Sequence, residues 1–374
     1  MLRKREEKKR EEKIFLEGEW GVAAAPASRF VVGLLGPLLS AEETALLIAL
    51  RPLGILLSKQ NLQTPSQSAS LLEVLRGLYL PAPLLFISQE GGSEDPIGPL
   101  LGTPCASAAA CAAAGTDRVH ENAYLMGRAA RLLGFDVDLA PVLDLAQPGT
   151  GAVVLEGRCF GFHAEDVVLS GMMFLHGLAR AGLATAVKHF PGLGRAGKDT
   201  RVARPVVDAH DVDLMVTDVA PFAKLARGTD GVVVGHAAYP GFTGDDTPAS
   251  FSPKLLGVLR GSVRFEGVAF ADDLMKGALD GTLPERAERA ALSGCDALIV
   301  SAPSDAWEEC AARVAALGDD PARDVRFAAL RRRVADAPRP RFDEVAWDKL
   351  AEEAVAFSEL LRKPRAKREE RESF

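Results

Sequence analysis

The chain has 374 residues, 48% hydrophobic and 25% charged, the balance of a globular protein large enough to bury a core without disulfide or metal staples. Its net charge of −7 is uneven: residues 1–13 hold seven basic and four acidic side chains, and residues 362–374 hold six and three, so the body between is the more acidic part. That excludes a nucleic-acid-binding face on the body; no apolar run reaches the roughly 18–20 residues of a membrane span, and five scattered cysteines without a Cys-x-x-Cys pair carry no zinc or redox motif.

In chain order, the N-terminal run from Met1 to Lys13 has neither the apolar core nor the cleavage site of a signal peptide. With the odd cysteine count, this predicts a cytoplasmic protein. Residues 1–25 and 362–374 read as charged, solvated tails around one domain, 26–361. Within it, eight short apolar runs recur: Phe30–Leu35, Gly54–Ser58, Leu84–Ser88, Val137–Asp144, Thr185–Phe190, Gly231–His236, Gly267–Asp273 and Ala297–Ser301. Each is too short for a helix, and near-continuous apolarity means burial on both faces, as in a parallel sheet. Helical pattern fills the gaps, at Ala41–Leu50, Ser68–Leu78, Asp117–Leu133, Ala164–Ala181, Ser252–Arg260 and Pro284–Ser293. Ala108–Ala114 reads as a loop leading into the helix at Asp117. Beyond residue 305 the pattern is helical and charged, with a connection at Ala335–Arg341 and an amphipathic helix over Asp343–Leu361. Eight strand–helix alternations predict an α/β fold, a single (β/α)₈ TIM barrel.

Several strands end in polar groups: Ser88, Asp144, Lys188 with His189, His236, and Asp272 with Asp273. In a barrel these ends share one rim, where chemistry sits. Lys188-His-Phe-Pro-Gly-Leu-Gly194 puts two hydrogen-bonding side chains at a strand end just before a turn. Gly267-Val-Ala-Phe-Ala-Asp-Asp-Leu-Met275 ends a buried strand in two carboxylates. On a strand these point to opposite sides, so one is expected to face the mouth and the other to cap the next helix or pair with a cation. Arg158, in Gly157-Arg-Cys-Phe-Gly161, offers a planar fork of donors.

Together with Gly54–Ser58 and Asn61, Gln89-Glu-Gly-Gly92, Asp138–Leu145 and Pro248-Ala-Ser-Phe-Ser252, these segments resemble the β-N-acetylhexosaminidases of glycoside hydrolase family 3, which trim N-acetylglucosamine in bacterial cell-wall recycling. The resemblance runs from about Val31 to Ser301. It implies Asp272 as the nucleophile of a retaining mechanism with a covalent glycosyl-enzyme intermediate. It implies Arg158, Lys188 and His189 as sugar-binding residues, Asp199 as one member of the acid/base pair, and neither metal nor organic cofactor. The implied partner is a carbohydrate, an N-acetylglucosamine-containing glycan or muropeptide, bound by a monomer.

The sequence departs from the family on the acid/base side. Where the family reads Asp-Ser-His, this chain reads Asp199-Thr-Arg201, and arginine keeps its proton at any working pH. Leu193 replaces another loop histidine, and Ser88 and Ser93 replace the aspartate and arginine of Asp-Gln-Glu-Gly-Gly-Arg. The candidates for a substitute proton donor are Asp199, Glu90 and His210. Weakened hydrolysis is therefore expected, or a sugar-binding relative with impaired catalysis. His120, His163 and His176 fall in or beside helical pattern and read as packing or surface residues.

Overall fold

The structure, a computed structural model, describes residues 28–147 and 155–362. The expected tails lie outside them, apart from Arg362, the last residue of the final helix. Eight parallel strands follow one another around a closed barrel: β1 (Ser28–Gly33), β2 (Pro52–Leu56), β3 (Leu84–Ile87), β4 (Val137–Asp138), β5 (Ala184–Phe190), β6 (Gly231–Val234), β7 (Val268–Ala271) and β8 (Ala297–Val300), which pairs back to β1. Each falls in one of the eight apolar runs or overlaps it. The fourth run is mostly not strand: after Asp138 the ladder resumes only as a bridge between Val142 and Lys188, because Pro141 has no N–H to donate.

Ala108–Ala114 is a helix, not the expected loop. Ser107 caps it by accepting from the Ala110 N–H at 3.3 Å, and Gly115 ends it. Alanine has the highest helix propensity, but a run of small side chains shows no apolar period to read.

The barrel interior is filled from opposite strands. The rings of Phe86 on β3 and Phe270 on β7 meet edge-on at 5.8 Å. Glycines on the adjoining strands make room. A Cβ on Gly54 would come within 2.3 Å of the Phe86 ring, and one on Gly231 within 2.6 Å of the Phe270 ring.

The amino-terminal mouth is plugged by the helix Pro321–Asp336, whose Phe327, Leu330 and Val334 join the interior cluster. Around the plug, Asp136, Asp230 and Asp296 directly precede β4, β6 and β8. Each accepts a backbone N–H from the strand before its own: Leu85 at 3.0 Å, Thr185 at 3.0 Å and Ala269 at 2.8 Å. Arg326 of the plug pairs with Asp296 at 2.6 Å, and Arg339, just beyond it, with Asp136 at 2.8 Å. Apolar burial and ion pairs thus seal one end and leave chemistry to the other. Truncating a buried phenylalanine costs about 3–5 kcal/mol, so Phe327→Ala should lower the unfolding free energy by about 3 kcal/mol in urea titration; a loss below about 1 kcal/mol would mean that the barrel does not depend on the plug.

Candidate active site

The carboxyl-terminal rim surrounds a cavity of about 270 Å³, whose wall includes Ser88, Arg158, Lys188, His189, Asp199, Arg201 and Asp272. The residues singled out in the sequence therefore converge on one space, although they arise from β3, β5, β7 and the loops that follow β4 and β5.

One wall is built on Glu90. Buried carboxylates are costly unless paired, and this one has two cationic partners. Arg158 grips it with two nitrogens, Nε at 2.7 Å and Nη2 at 2.8 Å, and Lys188 reaches it at 2.6 Å. Burial pushes the Glu90 carboxyl up, but Lys188 and Arg158 overcome this and hold it at about 2. Lys188 also donates to Ser88 Oγ at 2.7 Å. Beside it, Asp144 accepts from the backbone N–H of His189 at 3.2 Å and of Leu193 at 2.7 Å, and its other oxygen lies 2.7 Å from His189 Nδ1. That bond fixes the imidazole with its other nitrogen, Nε2, as the atom left for a ligand. Asp138, at the end of β4, accepts the Gln89 N–H at 2.9 Å, while its Oδ2 is buried without a partner among the described residues. Burial raises its carboxyl to about 8, so it is mostly protonated at neutral pH.

Asp272 and Asp273 both reach the cavity wall, because β7 ends at Ala271 and strand alternation no longer applies. Their bonding differs. Asp273 neither caps a helix nor pairs with a cation, the two roles the sequence suggested; it accepts from the N–H and hydroxyl of Ser301 at 3.0 and 2.6 Å and ties the end of β7 to β8. Asp272 accepts the Asp273 N–H at 2.8 Å through one oxygen and the ammonium of Lys276 through the other. Burial alone would raise its carboxyl; Lys276, His236 and His189 outweigh burial and hold it far below the ordinary carboxylate range. His236 lies behind the pair. Its Nε2 donates to the Asp273 carbonyl at 3.0 Å and its Nδ1 lies 2.8 Å from the Ser250 hydroxyl, while burial lowers its pKa.

None of the three candidate proton donors is set up to donate. Asp199 is taken by Arg201, through the backbone N–H and Nε, both at 2.8 Å. Burial opposes ionisation there, but the hydrogen bonds and charge of Arg201 prevail and the carboxyl lies below its usual range. Glu90 is locked between its cations. His210 is exposed and not part of the cavity wall.

Lys276 is the functional neighbour that the sequence reading missed. It stands four residues after Asp272, in a segment that folds as successive turns rather than a helix. This segment is stapled to the one carrying Asp199: Gly277 N–H donates to the Arg201 carbonyl at 3.1 Å, and Ala278 N–H to the Thr200 carbonyl at 3.0 Å. A Cβ at position 277 would meet the carbonyls of Val202 and Arg201 at 2.7 and 2.9 Å, so only glycine allows this approach.

Residues 34–335 match the family model of the glycosyl hydrolase family 3 N-terminal domain. A β-hexosaminidase of Thioalkalivibrio sulfidiphilus is 34% identical over 303 residues, covering 78% of this chain and 84% of the relative. One of Pseudomonas aeruginosa is 34% identical over 266 residues, covering 70% and 78%. Among solved structures, the family 3 β-N-acetylglucosaminidase of a Paenibacillus species superposes with a TM-score of 0.79 at 27% identity, over 90% of this chain and 69% of that one. NagZ of Neisseria gonorrhoeae shares the fold, with a TM-score of 0.77 at 24% identity over 92% of this chain and all of that one. With the closed barrel and the carboxylate-bearing rim, these similarities show that the chain belongs to glycoside hydrolase family 3, a family of glycosidases that hydrolyse O-glycosyl bonds.

Proposed function

We propose that the protein is a β-N-acetylhexosaminidase that removes terminal β-linked N-acetylglucosamine from glycans or muropeptides, with retention and through a covalent ester on Asp272. The observation that carries this reading is an ionised carboxylate at the carboxyl end of β7, facing a sugar-sized cavity walled by Arg158, Lys188 and His189. The relatives named β-hexosaminidase support the substrate class. Asp272 attacks the anomeric carbon, the aglycone oxygen leaves, and water then cleaves the ester. No described helix is long and apolar enough to cross a membrane, and the five free cysteines support the cytoplasm.

The acid/base side limits the rate. Arg201 keeps its proton, and Asp199 is held ionised by it, so neither delivers a proton to the leaving oxygen. Lys276 also occupies one oxygen of the nucleophile, which favours a second reading: a sugar-binding relative with little turnover.

A mechanism-based fluoro-sugar should label Asp272 by mass spectrometry; a label on Asp273 would sink the assignment. General acid–base help is typically worth roughly 10²–10⁴-fold. A nitrophenolate barely needs it and a sugar alkoxide needs it badly, so weak turnover of aryl glycosides is expected and almost none of disaccharides. Azide, which needs no base, should speed aryl-glycoside turnover. Arg201→His should raise disaccharide hydrolysis more than aryl hydrolysis, because Asp199 then orients an imidazole. Brisk disaccharide hydrolysis by the unaltered protein would refute this account.

Lys276→Met gives the pH test. Asp272 must be ionised to attack, and Lys276 is the leading cause of its lowered carboxyl. Without that cation, burial prevails and the carboxyl rises, so the acid limb of the labelling rate should move to higher pH. An unmoved limb would mean that Lys276 does not hold the charge of Asp272.

A further inference from the structure

The cavity borders a second space on the side away from Asp272. β3 and β7 lie four strands apart either way around the closed barrel, so Ser88, just past β3, faces Asp272 across the mouth. Ser88, Leu56 and Glu94 line the 270 Å³ cavity and also a second cleft, of about 890 Å³, that runs over the loops after β2 and β3. The two spaces therefore border one another at these three residues.

The second cleft is preorganised from beneath and has free polar groups above. Asp95 accepts from Gln89 Nε2 and from the Gly98 and Cys105 N–H groups, at 2.7, 2.9 and 2.7 Å, which fixes the loop after β3. Asn61 donates to the carbonyls of Leu34 and Gly36 and fixes the loop after β2. Along the lining, Lys59 and Ser93 have side chains with no hydrogen bond or ion pair among the described residues, next to the apolar rings of Pro96, Pro99 and Pro104, while the charge of Glu94 acts on Arg158 and Arg201. Unpaired donors and acceptors beside C–H surface suit a carbohydrate. A pyranose with its anomeric carbon at Asp272 turns its opposite edge, where a preceding sugar is attached, to Ser88 and into this cleft.

We propose that the cleft is a second sugar subsite, which receives the residue on the non-reducing side of the one attacked, so that the protein accepts a β-1,4-linked disaccharide unit and is not confined to single terminal sugars. This rests on the reading of Asp272 as nucleophile on an N-acetylglucosaminide. Short serine at position 88 leaves the passage open.

The test compares nitrophenyl glycosides of N-acetylglucosamine and of N,N′-diacetylchitobiose with the unaltered protein, following nitrophenol and sugar products together. The expected result is nitrophenol released from the chitobioside in one step, with intact disaccharide as co-product. In Ser93→Trp, which puts an indole on the cleft lining, the chitobioside-to-monosaccharide ratio of kcat/KM should fall at least about tenfold. Hydrolysis of the monosaccharide glycoside, with chitobioside untouched or trimmed to free N-acetylglucosamine before nitrophenol appears, overturns the subsite and leaves the nucleophile reading standing. An unchanged ratio in Ser93→Trp also overturns it. Failure to cleave either glycoside overturns both.

Discussion

The site depends on a carboxylate that does not line the cavity itself. Glu90 is buried, and burying a lone charge is expensive enough that proteins neutralise or pair it. Here the pairing runs in both directions. Arg158 comes from the loop after β4 and Lys188 from β5, and both converge on Glu90. The pairing sets where both side chains stand, and Lys188 in turn sets the hydroxyl of Ser88. Removing Glu90 would thus disturb three positions of the wall at once, and the loss would not divide into separate contributions.

A second pairing acts on the opposite wall, and its effect is less favourable to chemistry. Lys276 keeps Asp272 ionised and engages one of its oxygens; Arg201 keeps Asp199 ionised and engages it through its backbone N–H and its guanidinium. Each carboxylate is electrostatically satisfied at rest. A retaining glycosidase needs the two sides of its site to differ in proton affinity, one charged and one ready to donate. Both carboxylates here sit below their ordinary range. The departure from the family pattern is one of proton bookkeeping, within an intact scaffold.

The scaffold was readable in the sequence because parallel strands buried on both faces leave short continuous apolar runs that helices cannot explain. The reading failed where that physics was absent. The run from Val137 to Asp144 is buried along its length but pairs as a strand only at Val137–Asp138, since Pro141 interrupts the ladder. Ala108–Ala114 shows no period because its side chains are uniformly small, although Ala108 and Cys111 are buried. In the site, the convergence of Arg158, Lys188, His189 and Asp272 on one cavity was legible through motif resemblance, which also drew attention to Arg201. The partnership of Asp272 with Lys276 was not legible, because it depends on a run of turns whose shape is set by contacts with the segment after β5. The true position of Glu90, first weighed as a proton donor, likewise depends on cations 68 and 98 residues away in sequence.

The two hydrogen bonds that staple Gly277 and Ala278 to Arg201 and Thr200 bear on how binding energy is spent. A catalytic loop that must close over its substrate draws its ordering cost from the affinity of each ligand. In this structure the segment after Asp272 and the segment that carries Asp199 are already joined by these bonds, at a glycine that tolerates no side chain. A ligand entering the cavity meets a slot whose walls are in place, and its contacts go to affinity rather than to assembling the site. The same joint couples the two sides mechanically: a change that shifts Arg201 also shifts the backbone beside Lys276, so the surroundings of Asp199 and of Asp272 do not change independently.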